Sequence, residues 1–165
     1  MNEAVERFDC LCDALQDSEF RVSRSPDEWP RLRRDKHPKN YDKLLDAVIP
    51  FLECFASAEP GVRAEMAHAL TWISAGMLQH FVYYAPRLAV ERNSPELIRW
   101  GWLAIASLRE FADPRDLTFY FSDLLDAARR LNVDPRPLFA ESVALSAPYT
   151  KKYLESVIAN MLNHE

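Results

Sequence analysis

Three short stretches in the second half of the chain carry the same punctuation: Ser94-Pro95-Glu96-Leu97, Asp113-Pro114-Arg115-Asp116-Leu117 and Asp134-Pro135-Arg136-Pro137-Leu138. In each, a Ser or Asp side chain can accept backbone N–H groups that the start of a helix leaves unpaired. Pro then fills the first helical position, where its missing N–H costs nothing and its fixed φ suits the turn. Leu makes the first inward contact two residues after the Pro, or three in the longer stretches. Asp116 sits three residues after its cap, where a carboxylate suits the positive end of the helix dipole. The pattern predicts caps at Ser94, Asp113 and Asp134, 19 and 21 residues apart. Each interval holds one helix and a tight turn, so two intervals make an antiparallel helical hairpin of about 40 residues.

The rest of the chain reads the same way. Residues 3–16 set Val5, Phe8, Leu11, Cys12 and Leu15 at helical spacing, with Glu3, Glu6, Arg7, Asp9 and Asp13 on the other side. Residues 17–41 are rich in charge and broken by Pro26, Pro30 and Pro38, which predicts a long irregular connection. A second helix is expected over about 40–56, kinked or split at Pro50. Glu59-Pro60-Gly61 opens a long helix expected to reach about Tyr84, with Pro86 ending or bending it. A last helix is expected over 148–162, where Tyr149, Tyr153, Leu154, Val157, Ile158 and Met161 share one side. No segment alternates with period two for long enough to make a strand. The expectation is an all-α single domain spanning 1–165, of about seven to eight helices, with its helical body over 42–165.

The hairpin period resembles that of HEAT-like α-helical repeats, over about residues 94–162 and on the spacing of the caps. The chain is also loosely similar to small bacterial immunity proteins, which bind and neutralise a toxin domain. These resemblances imply helical hairpins stacked in a superhelical double layer, and a non-enzymatic, protein-binding role.

Composition narrows the function classes. Three glycines in 165 residues cannot supply a Rossmann fingerprint or a Walker loop in addition to ordinary turns. A net charge of −5 argues against binding nucleic acid over the whole surface. The acidic start, Met1-Asn2-Glu3-Ala4-Val5-Glu6, has no apolar core of signal-peptide length. The longest uncharged stretch, Met66 to Pro86, includes His68, Thr71, Ser74, Gln79 and His80, and suits a buried helix better than a membrane span. Cys10 and Cys12 point about 200° apart on a helix, so they cannot bond to each other or share a metal. Together with the distant Cys54 they read as free thiols of a reducing cytoplasm.

Searches for catalytic chemistry give little. Glu65-Met66-Ala67-His68 is an E-x-x-H step, the half-site of carboxylate-bridged di-metal bundles, but no second such step exists to complete it. Ser74 and Ser107 lack a nucleophile elbow, and Cys54 sits in an apolar helix as a small core residue. Arg31, Arg33, Arg34, Lys36 and Lys39, with Trp29 and His37, form a basic segment that could grip phosphates by charge and stacking. Its plainer reading is a solvated connection, diluted by Asp27, Glu28 and Asp42. Trp72, Phe81, Tyr83, Tyr84, Trp100 and Trp102 crowd two weakly charged helices, and this is expected of a packed core. No cofactor and no metal are expected.

One helix face breaks the usual pattern. From Asp113 onward, Leu117, Phe121, Leu124, Leu125, Ala128 and Leu131 fall within an arc of about 120°. Asp116, Phe119, Tyr120, Asp123, Asp126 and Arg130 occupy another arc, centred roughly 140° away. Phe119 points directly away from the core, among carboxylates. Either a second layer of helices covers it or it belongs to a binding surface. Asp116, Phe119, Tyr120, Asp123 and Asp126 are the candidate site, with a basic protein as the expected partner. The alternatives are a nucleic-acid-associated protein using segment 31–39, or an enzyme with a metal near Glu65 and His68.

Overall fold

The computed structural model describes residues 3–17, 41–70, 72–108, 114–146 and 148–163. These form eight helices: α1 (Glu3–Asp17), α2 (Tyr41–Ser57), α3 (Pro60–Ala69), α4 (Trp72–Arg92), α5 (Pro95–Ser107), α6 (Pro114–Arg130), α7 (Arg136–Leu145) and α8 (Pro148–Leu162). Among the described residues there is no strand, so the protein is all-α. The expected connection lies largely outside the described residues. The chain divides into two compact units, residues 1–81 and 82–165, and the division falls within α4.

In the first unit α1 packs on α2 and α3. Phe8 is fully buried against Phe51, with ring centroids 4.2 Å apart and planes tilted by 38°. Leu44, Val48, Leu52 and Phe55 continue that core along α2 at helical spacing. Pro50 does not split α2. The ring removes the N–H that the Asp46 carbonyl would accept. Asp46 is exposed and Pro50 only half-buried, so the freed carbonyl lies on a side open to water. At the end of α2 the Arg63 guanidinium donates to the Ala58 carbonyl, satisfying one of the acceptors a helix terminus leaves over.

The single long helix expected from Pro60 to Tyr84 is instead two. Leu70 adopts an extended ψ of 126° and ends α3, with its side chain buried. Neither Gly nor Pro marks this break, and so periodicity runs straight across it. Beyond it α4 passes through the buried Pro86 and continues to Arg92. Every residue from Ser74 to Val82 is buried, which leaves that stretch without a polar face.

The second unit is built around α5, which packs on both α6 and α7, while α8 packs on α7. Trp102 is the centre of this core. Its indole stacks on Phe121 of α6, centroids 4.8 Å apart, and meets the edge of Phe139 of α7 at 4.3 Å. Its carbonyl accepts a buried hydrogen bond from Ser142 Oγ at 3.0 Å. Nearer the surface Arg99 reaches Glu141 with two N–H groups, at 2.6 and 2.9 Å. Two residues on from Arg99, on the opposite side of α5, Gly101 allows α6 to approach. A Cβ at this position would lie 2.8 Å from Leu124 Cδ2 and 3.5 Å from the Ala85 methyl. Gly101→Val should therefore cost about 1–3 kcal/mol by overpacking a filled site. Urea titration checks this, and an unchanged midpoint would show that α6 yields freely.

The turns explain how so few glycines suffice. Asn93 and Asn132 take positive φ, 49° and 54°, at the ends of α4 and α6. After them Ser94 N–H donates to Ala89 O at 2.9 Å, and Val133 N–H to Ala128 O at 2.8 Å. This is the Schellman ending with Asn in the place Gly usually holds. Helix α5 opens with Pro95 two residues after Asn93, and Pro135, three residues after Asn132, leads into α7.

The three expected caps have different outcomes. Ser94 holds the cap position of α5 without a side-chain hydrogen bond. Asp113 lies outside the described residues. Asp134 Oδ1 accepts the backbone N–H of Arg136 at 3.1 Å and its Nε at 2.9 Å. Pro135 holds the cap position of α7, its carbonyl accepting from Phe139 N–H at 3.0 Å, and Asp134, one residue before it, serves the first turn with its side chain. The Arg136 side-chain and backbone hydrogen bonds hold the Asp134 carboxyl below its ordinary value of 3.8. A depressed carboxyl contributes stability above its unfolded pKa and loses it as pH falls through the folded one. The cap should thus weaken below about pH 4. In Asp134→Asn, which keeps an acceptor but cannot titrate, helicity of α7 should lose that part of its acid dependence. NMR shifts of residues 136–139 across pH 2–6 would show it, and an identical acid profile in both proteins would refute the assignment.

Candidate functional site

Helix α6 separates its two faces sharply. Phe121, Leu124, Leu125, Ala127 and Ala128 are buried, with Phe121 stacked on Trp102. Thr118, Phe119, Ser122, Asp123, Asp126, Arg129 and Arg130 are exposed. The advance of about 100° per residue carries Phe121 into the core and turns Phe119, two positions earlier, away from it. Phe119 is 70% exposed, so no second layer of helices among the described residues covers it. Among the described residues the exposed large hydrophobics are Phe119 and, at 38%, Tyr83 of α4. Tyr83 stands edge-on to the buried Tyr84, 5.0 Å between centroids.

The electrostatics around Phe119 are less one-sided than the sequence implies. Tyr120 is half-buried, and Asp123 and Asp126 are exposed. The side chain of Asp116 lies outside what is described. Arg129 Nη1 donates to Asp126 Oδ1 at 3.3 Å, one helical turn on. Both partners are more than half exposed, so this ion pair adds little stability. It does offset the Asp126 charge, and Arg129 and Arg130 suit the negative end of the helix dipole. The face is therefore an exposed phenylalanine with carboxylates beside it and cations at its C-terminal end. Ser122, one turn on from Phe119, and Thr118, on the flank toward the core face, are also exposed and were not among the expected site residues. They fall about 100° (Thr118) and 60° (Ser122) from Phe119, outside the arc that holds the expected site residues, so periodicity does not point to them.

The other candidates are dispersed. Glu65 and His68 are both exposed on α3, and no group of three or more His, Cys, Asp or Glu poised to hold a metal occurs among the described residues. Residues 31–39 lie outside the described residues. Cys10 is exposed, whereas Cys54 is buried with its thiol 3.9 Å from the Ala4 carbonyl. Burial pushes the Cys54 thiol up from its ordinary value, against a smaller opposing pull from Arg7. A thiol held protonated is a poor nucleophile. Of the aromatic crowd, Phe81, Tyr84 and Trp102 are buried, and Trp100 is half-buried with the Arg99 guanidinium 4.8 Å from its ring. Among the described residues no helix is long and apolar enough to cross a membrane.

No family model, curated protein or solved structure matches this chain.

Proposed function

We propose that this chain is a non-enzymatic protein-binding module that engages a basic protein partner through the outward face of α6. The observation that carries the reading is Phe119, 70% exposed on a helix whose opposite face is fully packed. An aromatic side chain held open costs solvation and contributes nothing to the fold, yet it is the residue type that anchors protein interfaces. Asp123 and Asp126 beside it would steer a cationic partner, with their effect falling as salt rises. The packing order supports a stacked-hairpin reading of the second unit: α5 with α6, α7 with α8, and first helix on first helix. Such an arrangement gives a rigid platform for a surface patch. Neutralising a basic toxin domain, as immunity-type proteins do, is one form this activity would take.

The test needs two measurements on one variant. Phe119→Ala should leave the unfolding free energy from urea titration within about 0.5 kcal/mol of the parent, as expected for an exposed position. The same change should weaken binding to a basic partner co-purified from the native source by about 2 kcal/mol or more. Asp123→Arg should slow association and flatten its salt dependence. Unchanged affinity of that partner for Phe119→Ala would move the interface off α6.

A further inference from the structure

We draw no further inference here: the strongest candidate, the half-exposed apolar row of Val157, Ile158 and Met161 along α8, is a helix face for which nothing in the structure shows what covers it.

Discussion

Trp102→Ala should lower the stability of the second unit by about 3–5 kcal/mol, the range found when large aromatic residues are truncated in a core. The indole is 1% exposed and touches ring systems on both neighbouring helices. Its loss opens a cavity between α5, α6 and α7 together, so no single helix can move in to fill it. Gly101 and Leu124 already hold α5 and α6 at contact distance next to the site, which limits relaxation further. Trp102→Phe should lose much less. It keeps an aromatic ring in the slot and deletes the Nε1–H, which is buried with no acceptor among the described residues. Urea denaturation followed by far-UV circular dichroism gives both values. A loss below about 1 kcal/mol for the alanine variant would show that the three helices close over the gap.

Phe8→Ala should release α1 from the first unit. Over residues 3–11, where the side chains of that helix are described, Phe8 is fully buried and Ala4, Val5 and Leu11 are only half-buried. A helix of 15 residues is marginal in water without a packing partner. Removing the ring forfeits its contact with Phe51 and opens a cavity, at a cost of about 3–5 kcal/mol. Amide hydrogen exchange over residues 3–17 should then quicken by roughly 100-fold or more, with tenfold per 1.4 kcal/mol. Exchange unchanged in α1 would mean that its half-buried residues suffice to dock it.

Local signals are strong where the chain punctuates itself. Pro95, Pro114 and Pro148 each open a helix, and Asp134 with Pro135 caps α7, because the chemistry of a helix start is contained in three or four residues. The sorting of α6 into Phe121, Leu124 and Leu125 inward and Phe119 outward follows from periodicity alone. Two endings carry no such signal because they rely on Asn93 and Asn132 in the left-handed region. Asn is an ordinary polar residue in most contexts, so its presence alone does not announce that conformation. The net charge of the α6 face is likewise not legible locally, since the pairing of Asp126 with Arg129 depends on which rotamers meet across one turn.

Sequence alone determined that this protein is all-α, where most of its helices start, and which side of α6 is apolar, since these depend on contacts within a few residues. Tertiary structure decided the rest. It broke the run from Pro60 to Arg92 at Leu70, where no local residue forbids a helix, and it carried α4 through Pro86 despite the lost N–H. It brought Trp102, Phe121 and Phe139 together over gaps of 19 and 18 residues, and it left Phe119 uncovered. The physical reason is range: capping and periodicity act over one or two turns, whereas burial is set by whichever distant helices arrive to exclude water.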